Sequence, residues 1–226
     1  MQPQNLFDAT SALIVVGGTC LATLLRCGLG DTRAALGALM GLGRSNFDAG
    51  RVRAQLAVQV RGMQKDGVLR TEPLSFGDAE FTEATDALIG SRSVSALHRA
   101  HAVHKRKRNQ YSQRAVQTLN QAADLSPVFG LAGTLVSLSQ LPAGEGPGGN
   151  FTAAISMAVL TTLYGLLLGN LVFAPLARAV ARRASDEEQE RQDVLDWLEK
   201  QVAEALPATQ GANVVRHRAS AAGRSR

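Results

Sequence analysis

The sequence predicts an all-α, multi-pass helical membrane protein with three transmembrane helices and a helical cytoplasmic loop. Three observations predict it. The chain of 226 residues carries 24 Lys+Arg and 19 Asp+Glu, yet no Asp, Glu, Lys, Arg or His falls between Asp8 and Arg26, between Asp124 and Glu145, or between Glu145 and Arg178. A helix crosses a hydrocarbon core of about 30 Å with about 20 apolar residues, and about 17 is the lower limit. Basic residues are absent from one set of flanks and crowded in the other, and a Pro/Gly loop joins the last two apolar stretches. These features exclude a purely soluble enzyme, a disordered polyelectrolyte and, with 2 Cys, a disulfide scaffold.

Residues 1–8 form a short N-terminal segment, expected in the periplasm. The first span, 9–25, reads ATSALIVVGGTCLATLL, and its Gly17-Gly18 pair lets a second helix come close. Nothing basic precedes it, which argues against a cleaved leader. Cys20 and Cys27 are seven residues apart, a rise of about 10 Å along a helix, too far for a disulfide, and read as small packing residues. Residues 26–124 form the cytoplasmic loop, with helices expected over 51–69 and 81–124 and a break at TEPLSFGD, 71–78. The second span, 125–141, opens with Ser126-Pro127 and ends at the short periplasmic loop 142–150. The third, 151–177, is long enough to tilt or project beyond the bilayer. After it, 178–206 is an amphipathic helix with Leu195, Leu198, Val202 and Leu206 on one face, expected to pack on the loop helices or a neighbouring subunit. The basic tail 207–226 has the composition of a disordered segment.

Basic residues near a membrane end stay on the cytoplasmic side. Residues 30–124 hold 14 of the Lys+Arg and the segment after 177 holds 9, so the N-terminus is placed in the periplasm and the C-terminus in the cytoplasm of a bacterial inner membrane. The run His98, His101, His104, Lys105–Arg108 could hold a metal or touch nucleic acid. With no Cys or carboxylate beside it in sequence and no interleaved aromatics, a solvated basic face near the membrane explains it more simply.

Small and polar residues recur on one face of the second span, at Ser126, Gly130, Gly133, Thr134, Ser137 and Gln140. They recur again in the third, at Ala154, Ala158, Thr161, Thr162, Gly165 and Gly169. Such faces serve close helix packing, or line a narrow polar conduit; the periodicity fits both. No Asp, Glu, Lys, Arg or His lies inside any span, whereas proton relays across membranes characteristically use such a residue. A chain of this kind that moved protons would need its titrating group from another polypeptide.

The stretches SALIVVGGTCLATLL at 11–25, AADLSPVFGLAGTLVSLSQL at 122–141 and AVLTTLYGLLLGNLVFAPLARAV at 158–180 resemble, in order, the second, third and fourth membrane segments of MotA-type flagellar stator subunits. These belong to the MotA/TolQ/ExbB proton channel family. The specific pieces are Pro127–Gly130, Gly133-Thr134 and Thr161–Gly165. The resemblance implies a homopentamer around a single-span B-type subunit, MotB-like or else ExbD/TolR-like, that supplies a membrane Asp. It implies no enzyme activity and no cofactor, with a proton as the transported ion and sodium as the alternative. It makes Thr134, Thr162, Thr161, Gly130 and Ser137 pore-lining and Pro127 and Pro175 hinges. Glu72, with Arg61 and Lys65, falls near the position that faces the rotor or another partner, although Gln64 stands where the family has a basic residue. The first membrane segment of MotA has no counterpart before residue 9, so either the chain begins downstream of it or this is a three-span member with the topology of ExbB and TolQ, and an ExbB/TolQ-like energiser of an envelope process is the alternative output. A non-conducting membrane scaffold is the alternative from a different class.

Overall fold

The computed structural model describes residues 8–43, 47–66, 77–91, 93–140 and 149–205. They form helices α1 (Ala9–Leu42), α2 (Ala49–Asp66), α3 (Ala79–Ser91), α4 (Val94–Ser139) and α5 (Gly149–Leu167), a π-helical turn (Leu168–Phe173), and α6 (Ala174–Ala205). Among the described residues there is no strand. Three helical stretches, Ala9–Leu42, Val94–Ser139 and Phe151–Ala203, are long and apolar enough to cross a membrane. The chain is a membrane protein with the predicted fold class.

The helices overrun the expected segments. The first is kinked at Gly28, three residues past its expected end, and helix resumes beyond the kink as far as Leu42. The helix expected over 81–124 is divided between Ser91 and Val94, and its second part runs on without a break through the second span. The third span likewise passes into the amphipathic helix by way of the π turn. Charge ends a membrane span but does not end a helix, because Arg, Lys and Glu are good helix formers. The break expected at 71–78 lies outside the described residues except for Gly77 and Asp78, as do the short loop 142–148 and the tail.

The chain divides into two compact units, one of residues 1–45 and 108–185 and the other of 46–107 and 186–226. In the first, Asp8 caps α1: its carboxylate accepts from the Thr10 and Ser11 backbone N–H groups at 3.3 and 3.0 Å and from the Ser11 hydroxyl. The Ser11 hydroxyl, then the Ser11 amide, hold the Asp8 carboxyl below its ordinary value. Gly28 interrupts α1 with φ 80° and ψ 166°, a conformation open to glycine and strained for other residues. Beyond it, Ala35 of α1, Ala115 and Leu119 of α4, and Ala177 and Val180 of α6 form a small apolar core. Arg183 Nη1 donates to the Leu42 carbonyl at 2.9 Å and satisfies one of the free carbonyls at the end of α1.

Glycine sets the spacing of α4 and α5. A methyl group on Gly165 would stand 2.6 Å from the Ser126 carbonyl oxygen and 2.9 Å from Gly130 Cα, and one on Gly130 would stand 2.9 Å from the Thr161 carbonyl oxygen. The backbones meet almost directly, as small residues allow in a membrane, where lipid supplies no hydrophobic drive between helices. Gly18 of α1 similarly leaves room for the Phe129 ring, while Gly17 faces open space.

The π turn has a local cause. In a regular α-helix the Pro175 ring would collide with the carbonyl of Leu171. The turn widens by one residue, with the Ala174 N–H donating to the Gly169 carbonyl five residues back.

In the second unit Val52, Leu56 and Val60 of α2, Phe81, Ala84 and Leu88 of α3, Leu97 of α4, and Val194, Leu195, Leu198 and Val202 of α6 make one core. The apolar face of the C-terminal helix thus packs on the loop helices, as one of the two sequence-based alternatives has it. Leu206, the fourth residue expected on that face, lies outside the described residues. Asp48 and Asp78 cap α2 and α3 by accepting the Arg51 and Glu80 amides at 2.9 and 3.0 Å.

Candidate functional site

The small and polar faces of α4 and α5 separate into two groups. Ser126, Gly130, Gly133 and Ser137 of α4, Ala158, Thr161 and Gly165 of α5, and Gly169 of the π turn are all buried. They belong to the contact between the two helices: a methyl on Gly133 would stand 2.8 Å from Thr161 Cβ. Thr134 and Thr162 point elsewhere. Both are half-buried and line one open groove of about 470 Å³, whose other walls are Leu138 of α4 and Ile155, Ala158, Val159, Leu163 and Leu166 of α5.

Of the five residues expected on a pore wall, Thr134 and Thr162 therefore share the groove. Thr161, Gly130 and Ser137 do not reach it. The division has a simple geometric cause, since adjacent helical residues differ in direction by about 100°, and Thr161 and Thr162 cannot both face the same way. Sequence reasoning missed the apolar wall, because Leu138, Leu163 and Leu166 read as ordinary lipid-facing residues.

Each hydroxyl is satisfied inside its own helix. Thr134 Oγ1 donates to the Leu131 carbonyl at 2.6 Å and Thr162 Oγ1 to the Ala158 carbonyl at 3.2 Å. Ser126, Ser137 and Thr161 do the same at 2.7, 2.8 and 2.9 Å. Such back-bonding removes the cost of burying a donor and leaves the oxygen lone pairs as acceptors. No titratable side chain lines the groove.

Pro127 lies inside α4 and Pro175 at the second position of α6. Pro127 removes the helical N–H that would have bonded the Ala123 carbonyl, and that same oxygen faces Gly169 so closely that a methyl there would stand 2.7 Å away. Arg61 is exposed on α2, with its Nε donating to the Ala57 carbonyl at 3.3 Å. Lys65 and Gln64 fall on α2 but their side chains, like the whole of Glu72, are outside the described residues.

The histidine run requires a correction. Carboxylates distant in sequence meet all three imidazoles. His98 Nε2 is 3.2 Å from Glu199, His104 Nε2 is 2.7 Å from Glu83, and the buried His101 lies between Glu80 at 2.7 Å and Glu188 at 3.6 Å. The 2.7 Å approach of His101 Nδ1 to Glu80 is out of line for a ring N–H, so it is a close polar contact and not a directed hydrogen bond. Arg191 continues the network: Nη1 is 2.8 Å from both Asp78 and Glu80, Nη2 is 3.0 Å from Glu187, and the guanidinium sits 4.1 Å from the Phe47 ring centroid. Among the described residues no group of three or more His, Cys, Asp or Glu could hold a metal ion.

The sequence profile of the MotA/TolQ/ExbB proton channel family matches residues 77–193. The chain is 26% identical over 195 residues to the chemotaxis protein PomA of Vibrio alginolyticus, covering 84% of this chain and 76% of that one. It is 26% identical over 200 residues to motility protein A of Cereibacter sphaeroides, with the same coverage. Among solved structures, the C. jejuni MotAB structure superposes with a TM-score of 0.79 at 18% identity, over 93% of this chain and 83% of that one. The fold described above is thus the fold of a MotA-type chain. With half its length, including the whole of α4, α5 and the π turn, inside the matched region, the chain belongs to the MotA/TolQ/ExbB proton channel family.

Proposed function

We propose that this chain is the A-type subunit of a flagellar stator in the bacterial inner membrane, with its N-terminus in the periplasm and its C-terminus in the cytoplasm. Its relatives are motility proteins, and the structures it resembles are MotAB stators. The observation that carries the ion path is the groove: two threonine hydroxyls, Thr134 and Thr162, set on an otherwise apolar wall with no titratable group.

In this reading the carrier acid is an Asp on a single-span B-type partner, and a homopentamer of this chain surrounds the partner helices. A protonated carboxyl donates to a threonine oxygen, and the ionised form accepts from a threonine O–H that turns away from its own carbonyl. The proton leaves with the partner carboxyl, so this chain forms no covalent bond. Pro127 and Pro175, each interrupting a helical hydrogen-bond ladder, are where α4 and α6 flex as the carboxyl changes charge. Arg61, with Lys65 and Glu72, faces the rotor. The transported ion is the proton, with sodium as the alternative.

The test is the pair Thr134→Val and Thr162→Val, which remove a hydroxyl at nearly constant volume. The expected result is proton flux reduced about tenfold when the chain is co-expressed with its partner, with the complex still assembled. Flux at the unaltered level in both variants would reject the groove as the path.

A further inference from the structure

Two exposed charge stripes in the loop unit remain unused by the chain itself. On α4, Arg99, Arg106 and Lys107 are exposed; on α6, Asp186, Asp193 and Asp196 are exposed. Among the described residues, none of these six makes an ion pair within the chain. Arg99 donates to Ser95 at 3.2 Å, and Gln189 and Gln192 donate to Asp193 and Asp196 at 3.0 and 2.9 Å. Charges on the inner faces of the same helices are paired, as Lys105 with Glu188 and Arg191 with Glu80 show.

The stripes match in spacing and in level. Arg99 and Arg106 are seven residues apart, as are Asp186 and Asp193, which is about 10 Å along a helix. The contacts of His98 with Glu199 and of Lys105 with Gln192 run α4 antiparallel to this part of α6. That register puts Arg99 abreast of the turn holding Asp196, and Arg106 abreast of the turn between Asp186 and Asp193. Rotation about an axis parallel to the helices moves a residue around without changing its level. Opposite charges at equal level on two outward faces then meet between neighbouring copies.

We infer that the basic stripe Arg99, Arg106, Lys107 of one copy docks on the acidic stripe Asp186, Asp193, Asp196 of the next. This is a head-to-tail contact of the kind that closes a ring. It rests on the homo-oligomeric reading proposed above and adds to it the surface that orders the copies.

The experiment uses the full chain, purified in mild detergent, with its oligomer mass followed by native mass spectrometry on dilution. Reversing the acidic stripe (Asp186→Lys, Asp193→Lys, Asp196→Lys) is expected to raise the concentration at which the ring falls apart on dilution about tenfold, and raising the salt should weaken the unaltered ring in the same direction. Adding Arg99→Asp, Arg106→Asp and Lys107→Asp to the reversed chain is expected to restore the ring, which misfolding could not do. A ring indifferent to reversal, or a double reversal that restores nothing, overturns the inference, leaves the oligomeric reading standing and assigns the stripes to a different partner. An unaltered chain that is monomeric overturns both.

Discussion

His101 Nδ1 lies 2.7 Å from Glu80 Oε1, with the two side chains only 5% and 3% exposed. Glu80 also meets Arg191, so one buried carboxylate joins α3 to α4 and α6. Removing a single member of a buried ionic group leaves the others uncompensated, at a cost of about 3 kcal/mol or more. Glu80→Ala should therefore lower the thermal midpoint of the purified chain more than His101→Ala, because it takes a carboxylate from both His101 and Arg191, whereas without His101 Glu80 still meets Arg191 and Glu188 still meets Lys105. Equal midpoints for the two variants would place the energy elsewhere.

Gly165→Ala should separate α4 from α5. Its methyl meets backbone, at 2.6 Å from the Ser126 carbonyl, and backbone cannot rotate aside as a side chain can. Overpacking of this kind costs about 1–3 kcal/mol. Gly17→Ala, with nothing within 4 Å of the added carbon, serves as the control and should melt like the unaltered chain.

Thr161→Val and Thr162→Val alter neighbouring residues with the same chemistry and should give different results. Thr161 is buried in the helix contact and Thr162 lines the groove. Proton flux should fall in the second variant and be largely retained in the first; the reverse order would mean that the conducting wall is the α4–α5 contact.

The Asp8 cap gives a pH dependence of known sign. Its carboxyl is held below the ordinary value by the Ser11 hydroxyl and amide, so the folded state binds the proton less readily than the unfolded one. The stabilisation is fully present above the ordinary carboxylate value and is lost as pH falls through the lower, folded value. Hydrogen exchange at the Ser11 amide should accelerate relative to the middle of α1 over that acid range. Asp8→Asn, which keeps the cap without the charge, should abolish the pH dependence.

The three spans were legible because the bilayer excludes charge, and gaps in Asp, Glu, Lys and Arg can be counted. The apolar stripe Leu195, Leu198, Val202 was legible for a similar reason, since its period is that of the helix. The burial of His101 was not legible. The run around it is basic in sequence, while its partners Glu80 and Glu188 come from helices 21 and 87 residues away. The division of Thr161 from Thr162 also escaped, because a stripe of small residues is wide enough to include both a helix contact and the groove beside it. Gly28 carries no signal of its own, since glycines recur throughout α1 and only one has a positive φ.

The π turn sets the rotation of everything after it. Gly169 and Ala177, both buried, are eight residues apart, and an α-helix at about 100° per residue would leave them about 80° out of line. Absorbing one extra residue in the wide turn brings them back to within about 20°. Winding the same residues as a regular α-helix would turn Ala177 and Val180 off the small core they share with Ala35, Ala115 and Leu119, whereas deleting one residue between 170 and 173 would remove the wide turn and keep them on it. In this stretch the extra residue acts as a change of angle before it acts as a change of length.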